Sequence, residues 1–226
     1  WSLGNIFMQR LPPPQQLQLQ LDDQVSVAVS DQVFFQTGQD GLHQWEAGIV
    51  LARYVLFHAE LFVSKAILEL GSGTGLAGIT AAFVGAEATL TDFNPEVLEN
   101  IHRSVALSEA QVEIKRLDWT DIATYLDRQF DFIIGSDLVY QGTPLEDLAR
   151  TIGAHLKPGG QMILIMPVKR SATTAFVACM GEFLYESEEL PADVYLKSPM
   201  LPEKLGYDKF PELKIHTFRV HKFTKH

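Results

Sequence analysis

The sequence has only one cysteine, Cys179, among its 226 residues, so it cannot form an internal disulfide bond. A chain without disulfides fits a reducing compartment, and we expect a cytoplasmic protein, with the nucleus as the alternative. No apolar run approaches the roughly 18 residues that a membrane-spanning helix requires. Nor does a cationic segment followed by a short apolar block open the chain, so we expect neither a membrane anchor nor a secretory signal.

The sequence also lacks the residue patterns that several kinds of functional site require. The histidines show no paired spacing typical of metal ligands, so we expect no metal site. The nucleophile motif G-x-S-x-G and the phosphate-binding motif G-x-x-x-x-G-K are both absent, which leaves a hydrolase or a nucleotidase without support. A net charge of −10 disfavours binding to a phosphate backbone, so we expect no nucleic-acid partner.

Apolar, strand-like runs alternate with helical patterns through the middle of the chain. The predicted strands are Ala66–Leu70, a run ending at Asp92, Val112–Leu117, Phe130–Gly135, Gln161–Met166 and Lys214–Phe223. The predicted helices are Trp45–Ala59, a helix from Pro95, a short helix at Asp121–Leu126, Pro144–Leu156 and Ser171–Leu184. This alternation predicts an α/β domain over residues 37–226, with a mainly parallel sheet and helices on both faces.

Residues 1–36 form a predicted amino-terminal arm. Apolar residues occupy every second position in much of Leu17–Val29, which predicts an extended strand. We expect this strand to pair in a β-hairpin with Val33–Phe35, across a turn at Ser30-Asp31. The acidic residues Glu182, Glu186, Glu188 and Glu189 predict a solvated surface, with a surface that meets a basic partner as the alternative.

The most specific pattern lies between a strand that ends near Glu69 and a second strand that ends on Asp92. Glycines follow the first strand at alternate positions, Gly71, Gly73 and Gly75. Such a turn lets a ligand approach the backbone closely, at the amino end of the following helix. The dinucleotide pattern G-x-G-x-x-G fits only from Gly73, two residues late, whereas acid-x-G-x-G-x-G fits in register from Glu69. A nicotinamide cofactor, or a turn used only for tight packing, remains an alternative.

Further motifs follow in order along the chain. They are Thr37-Gly38 with Trp45-Glu46-Ala47-Gly48, then Asp118-Trp119 after the third strand, and Ser136-Asp137-Leu138-Val139-Tyr140 at the end of the fourth. Together with the glycine turn, these motifs resemble those of the family-16 seven-strand S-adenosylmethionine-dependent methyltransferases. The resemblance covers residue 37 to about residue 166. It implies a seven-stranded Rossmann-like sheet with one antiparallel strand, which we place at Lys214–Phe223.

The resemblance also implies a cofactor and a set of site residues. The cofactor would be S-adenosyl-L-methionine, with S-adenosyl-L-homocysteine as product, and no metal. The residues expected around the cofactor are Trp45, Glu69, Gly71, Ser72, Gly73, Asp92, Asp118, Trp119 and Ser136. Asp137 and Tyr140 are the expected catalytic residues, which would hold the acceptor amine. The expected function is methylation of a lysine side chain on another protein by a monomeric enzyme.

Other interpretations stay open at this point. Trp45 could be a core aromatic at the start of a helix, and Tyr140 an aromatic at a strand end. The acceptor could be a small molecule, or a histidine or arginine side chain of a protein, because the same fold and cofactor serve many acceptors. A catalytically silent module that binds the cofactor and docks a partner is the alternative outside enzymes.

Overall fold

The computed structural model describes residues 14–21, 25–32, 40–191, 210, 213 and 217–226. Its strands are β1 (Gln15–Gln20), β2 (Ser26–Asp31), β3 (Ala66–Glu69), β4 (Glu87–Asp92), β5 (Glu113–Arg116), β6 (Phe130–Ser136), β7 (Leu156–Pro167), β8 (Phe183–Glu189) and β9 (Phe218–Lys225). Its α-helices are α1 (Glu46–Phe57), α2 (Ala59–Phe62), α3 (Leu76–Phe83), α4 (Pro95–Ser108), α5 (Leu145–His155) and α6 (Thr173–Cys179). Short 3₁₀ turns lie at Asp40–Leu42 and Ile122–Thr124.

Seven strands form the main sheet in the order β5-β4-β3-β6-β7-β9-β8. Strands β3 to β7 are parallel, and β9 runs antiparallel to both β7 and β8. The predicted α/β fold with one antiparallel strand is therefore confirmed. From β3 the chain first moves outward through β4 and β5, then returns to place β6 on the other side of β3. In open α/β sheets, ligands bind at the carboxyl ends of the strands beside such a reversal.

Alternation along the buried strands divides the core into two layers. In β7, Ile163 and Ile165 face the layer formed with α1, α3 and α4, while Met162 and Leu164 face the layer formed with α5 and α6. Because successive side chains of a strand point to opposite faces, a continuous apolar run fills both layers. None of the described helices is both long and apolar enough to cross a membrane.

The amino-terminal hairpin is present, but its predicted turn is wrong. Strands β1 and β2 pair antiparallel with each other, with Leu17 opposite Val29, and the chain reverses where the Leu21 amide donates to the Val25 carbonyl at 2.8 Å. The predicted partner Val33–Phe35 lies outside the described residues. The hairpin packs on α4, where Asn100 Nδ2 donates to the Ser30 carbonyl oxygen at 2.9 Å. Its apolar side chains thus extend the core of the main domain.

Two further predictions need correction. The helix predicted over Ser171–Leu184 ends at Cys179, and an unpredicted strand, β8, begins at Phe183 in the region that we expected to form a solvated surface. The side chains of β8 are indeed largely exposed, because β8 is an edge strand. Strand β7 begins at Leu156, before its predicted start at Gln161. The pairing with β6 skips from Leu156 to Gln161, so residues 157–160 form a bulge.

Candidate active site

The glycine turn after β3 has the backbone conformation that its sequence requires. Gly71, Gly73 and Gly75 all have positive φ, at 57°, 56° and 84°, a region that side chains strongly disfavour. Ser72 ties the turn to β4, because its amide donates to the Thr91 carbonyl at 2.8 Å and its hydroxyl accepts from the Thr91 amide at 2.9 Å. The turn is therefore fixed to the sheet, and its expected contact with a cofactor stays a prediction.

Glu69 lies beneath this turn. Its side chain is buried, and Oε2 accepts a hydrogen bond from the backbone amide of Gly78 at 3.1 Å. Burial raises the pKa of the Glu69 carboxyl to about 8, against the smaller opposing effect of its hydrogen bonds. Glu69 thus joins the end of β3 to α3, and its expected contact with a cofactor stays a prediction.

Asp92 ends β4 close to the same turn. Burial raises the pKa of its carboxyl, while hydrogen bonds from the backbone amides of Asn94, Gly73 and Phe93 act in the opposite direction. An ionised carboxylate has about four acceptor positions, so three amides leave capacity for a ligand hydroxyl. Asp92 and the glycine turn thus form a cradle that fits a nucleoside with a free ribose.

Asp118 and Trp119 follow β5. The Asp118 carboxylate accepts hydrogen bonds from the amide and the hydroxyl of Thr120, at 3.1 and 2.8 Å, so it orders its own loop. Trp119 is half-buried, and its ring lies 3.7 Å from where a Cβ atom on Gly71 would stand. The structure therefore places Trp119 beside the glycine turn, and the expected contact of Asp118 with a cofactor stays a prediction.

Ser136 ends β6 next to the start of α1, and Asp137 follows it. The Ser136 hydroxyl lies 3.6 Å from the position of a Cβ atom on Gly48. The Asp137 amide donates to the Ile165 carbonyl at 2.9 Å, and Asp137 has a positive φ of 51°. A non-glycine residue in this conformation costs about 1–3 kcal/mol and is often found at functional sites.

A pocket of about 290 Å³ opens at Asp137. Side chains of both charge signs line it together with aromatic rings, among them Trp45, Glu46, Asp137, Lys169, Arg170 and Phe218. Within it the guanidinium of Arg170 donates two hydrogen bonds to the Asp137 carboxylate, with Nε at 2.7 Å from Oδ1 and Nη2 on Oδ2. Trp45, expected at the cofactor, lies in this pocket and is 46% exposed.

Tyr140, the second expected catalytic residue, is not brought into the same pocket. Its side chain is 56% exposed, and it is absent from the described side chains that line the pocket. Its amide donates to the Thr143 hydroxyl at 3.1 Å, in the loop after β6. A catalytic role for Tyr140 stays a prediction, which requires this loop or the acceptor to bring the phenol toward Asp137.

Sequence reasoning missed two residues of the site, Arg170 and Gln44. Arg170 follows the carboxyl end of β7 as Asp137 follows that of β6, and this position could have drawn attention to it. The buried Gln44 accepts a hydrogen bond from the Thr74 hydroxyl and donates to the Trp45 carbonyl at 2.8 Å. The position of Gln44 in the sequence, directly before Trp45, did not indicate that it belongs to the site. In the described part of the chain, no group of three or more His, Cys, Asp or Glu is arranged to hold a metal ion.

Comparison with known proteins decides the family. Residues 26–183, more than half of the chain, match the model of a family described as lysine methyltransferase. The chain belongs to the lysine methyltransferase family. This confirms the predicted family and enzyme class, a methyltransferase, and S-adenosylmethionine as its donor.

Curated relatives differ in the substrates that their names give. "Protein N-lysine methyltransferase METTL21A" of Mus musculus is 29% identical over 79% of this chain and 76% of its own length. "Histone-arginine methyltransferase METTL23" of Xenopus laevis is 35% identical over 50% of this chain and 51% of its own. "Calmodulin-lysine N-methyltransferase" of Arabidopsis thaliana is 38% identical over 50% of this chain and 40% of its own. The matched segment thus spans only about half or less of the latter two proteins.

Solved structures show the same fold. The 16S rRNA N2 G1207 methyltransferase RsmC of T. thermophilus, in complex with AdoMet and guanosine, has a TM-score of 0.65, with 15% identity over 95% of this chain and 51% of its own. A methyltransferase from Pyrococcus furiosus has a TM-score of 0.58, with 18% identity over 78% of this chain and 82% of its own. At these identities, the similarity concerns the fold and not the acceptor.

Proposed function

We propose that this protein transfers a methyl group from S-adenosylmethionine to the ε-amino group of a lysine in another protein. One observation carries the proposal: the Asp137 carboxylate stands in an open pocket at the carboxyl end of β6, where it already binds a side-chain cation. A lysine ammonium is the same kind of partner. The names of the family and of METTL21A support lysine as the acceptor.

The chemistry asks little of the protein beyond orientation. When bound, the donor would supply an electrophilic methyl group on a sulfonium. The protein gains rate by holding the amine close to that methyl group in the correct direction. The Asp137 carboxylate can accept a hydrogen bond from the amine and favour departure of its proton, since only the neutral amine is a nucleophile.

Arginine is the second candidate acceptor. The Asp137 carboxylate pairs through both oxygens with a guanidinium, so the pocket accommodates the head group of an arginine side chain. A relative named histone-arginine methyltransferase points in the same direction. A nucleic-acid acceptor has less support, because the net charge of −10 opposes binding to a phosphate backbone.

The decisive experiment combines isotope-labelled S-adenosylmethionine with a lysate from cells that lack the enzyme. Mass spectrometry then identifies which residue carries the label. Label on protein lysine supports the proposal, label on protein arginine supports the second candidate, and label confined to small molecules or nucleic acid contradicts both. Asp137→Asn should abolish transfer, whereas Asp127→Asn, the same change at an exposed position before the amino end of β6, should leave it intact.

A further inference from the structure

Asp137 and Arg170 form a two-bond ion pair in the pocket described above. Arg170 Nε lies 2.7 Å from Asp137 Oδ1, and Arg170 Nη2 donates to Oδ2, so both carboxylate oxygens are engaged by one guanidinium. Such two-bond pairs between arginine and a carboxylate are among the strongest side-chain contacts in proteins. The carboxylate proposed to receive the acceptor amine is thus already bound by a cation of the same chain.

Arg170 is placed so that it can leave without a change of fold. The side chain of Arg170 is 37% exposed and that of Asp137 is 20% exposed, so the guanidinium can turn into solvent. Its backbone is held separately, because its carbonyl oxygen accepts a hydrogen bond from the Thr173 hydroxyl at 2.9 Å, at the start of α6. A rotation of the side chain alone would therefore uncover Asp137.

We propose that Arg170 occupies the acceptor position and that an incoming lysine must displace it, which makes Arg170 a determinant of specificity. This inference rests on the proposed function. A lysine ammonium is a point charge and cannot reproduce the two parallel hydrogen bonds of a guanidinium. An isolated lysine therefore competes poorly with Arg170. Only a lysine carried by a docked protein, which adds binding energy from its other contacts, displaces it efficiently.

A purely structural role for Arg170 makes the opposite prediction. If Arg170 served only to orient Asp137, its removal would leave a misplaced carboxylate, and small cations would bind less well. If Arg170 competes with the acceptor, its removal exposes the carboxylate, and small cations bind better. The direction of the change therefore separates the two roles.

The test uses n-butylammonium chloride, which carries the head group of a lysine side chain without a peptide. It is titrated into the full chain saturated with S-adenosylhomocysteine, and binding is followed by the fluorescence of Trp45, which lines the pocket. Because Trp1 and Trp119 also fluoresce, a Trp45→Phe background supplies the blank. Affinity for S-adenosylhomocysteine, measured first by calorimetry, shows that each variant is folded.

Arg170→Gln should lower the dissociation constant of n-butylammonium at least tenfold, which is about 1.4 kcal/mol. Arg170→Lys, which keeps the charge but loses the paired geometry, should lower it about threefold. Arg150→Gln removes an arginine from a surface pair with Asp147 on α5 and should leave it unchanged. Adding Asp137→Asn to Arg170→Gln should cancel the gain.

If Arg170→Gln binds n-butylammonium no more tightly than the wild type, the inference is wrong. If Arg170→Gln does not bind S-adenosylhomocysteine, the affinity of Arg170→Lys for n-butylammonium is used instead, and the same outcome overturns the inference. These titrations require no methyl transfer, so they remain informative even if lysate labelling shows that lysine is not the acceptor. The matching kinetic result is a lower KM of Arg170→Gln for Nα-acetyl-lysine methylamide. A fall in kcat with KM unchanged would instead show that Arg170 positions Asp137.

Discussion

The side-chain oxygen Oε2 of Glu69 accepts a hydrogen bond from the backbone amide of Gly78, 3.1 Å away, beneath the glycine turn. This contact joins the end of β3 to the first turns of α3, out of reach of water. Burial holds the pKa of the Glu69 carboxyl at about 8, so the group keeps its proton at neutral pH. The acid of the turn motif therefore serves the architecture of the turn as a neutral side chain.

The raised pKa of Glu69 predicts a pH-dependent stability difference between the wild type and Glu69→Gln. An unfolded glutamate loses its proton at about pH 4.3, whereas folded Glu69 retains its proton up to about pH 8. Since the folded state then binds more protons, the free energy of unfolding of the wild type falls as the pH rises between these values. Glutamine keeps the acceptor oxygen and does not titrate. Glu69→Gln should therefore gain stability relative to the wild type from pH 5 to pH 8, by about 1.4 kcal/mol for each pH unit between the two pKa values.

Urea denaturation of both proteins across this pH range measures the difference. Comparing the two proteins largely removes the contribution of Asp92, whose pKa is also raised by burial and which is present in both. A stability difference that stays constant between pH 5 and pH 8 would show that Glu69 is ionised in the folded protein.

Asp92 and Asp137 should separate donor binding from methyl transfer. Asp92→Ala removes the buried carboxylate of the cradle, so the affinity for S-adenosylhomocysteine should fall about 10- to 100-fold, the range for hydrogen bonds to a charged group. Asp137→Ala should leave this affinity within about threefold of the wild type and stop transfer. Calorimetry and a labelled-donor assay measure the two effects, and equal losses of donor affinity in both variants would contradict this division.

The sequence predicted the parts of the fold that local patterns determine. The glycine turn follows directly from the need for positive φ at Gly71, Gly73 and Gly75. The start of α4 is also determined by neighbouring residues, because Asn94 Oδ1 accepts a hydrogen bond from the Glu96 amide at 2.9 Å and Pro95 is the first residue of the helix. Apolar runs likewise indicated β3, β6 and the second half of β7, because a strand that is buried on both faces is largely apolar.

Contacts between distant residues were not predictable from such patterns. Strand β8 is polar and exposed, and it exists because β9 offers it a free edge, with Lys222 Nζ 3.1 Å from Glu188 Oε1 across the pair. No periodicity within Phe183–Glu189 indicates that this segment pairs with β9. Arg170 and Asp137 are likewise 33 positions apart in the sequence and meet only because β6 and β7 are neighbours.

Replacement of two helical glycines by alanine should have opposite effects on stability. A Cβ atom at Gly78 in α3 would lie 2.6 Å from both Glu69 Oε2 and Leu90 Cδ1, so Gly78→Ala should cost about 1–3 kcal/mol, as overpacking does. A Cβ atom at Gly153 in α5 would meet only Phe183 Cζ at 3.9 Å, an ordinary contact. Gly153→Ala should therefore stabilise the protein by about 0.5–1 kcal/mol, because alanine favours helix.

Chemical denaturation of the two alanine variants measures both effects at once. The chemical change is identical and both sites are helical, so Gly153→Ala serves as the control for Gly78→Ala. Equal stability changes in the two variants would mean that the space around Gly78 adapts to a methyl group. The contact between Glu69 and α3 would then be less rigid than the geometry indicates.

Thr74 and Gln44 should behave as a coupled pair, because the Thr74 hydroxyl donates to the Gln44 side-chain oxygen in a buried site. Gln44 in turn donates to the Trp45 carbonyl at 2.8 Å, so the pair links the glycine turn to the start of α1. Thr74→Val or Gln44→Leu alone leaves a buried polar partner unsatisfied, at a cost of about 1–3 kcal/mol each. In the double variant neither partner remains, so its loss of stability should be smaller than the sum of the single losses by at least about 0.5 kcal/mol. Urea denaturation of the four proteins closes this cycle. Additive losses would show that the hydrogen bond contributes nothing of its own to the link between the turn and Trp45.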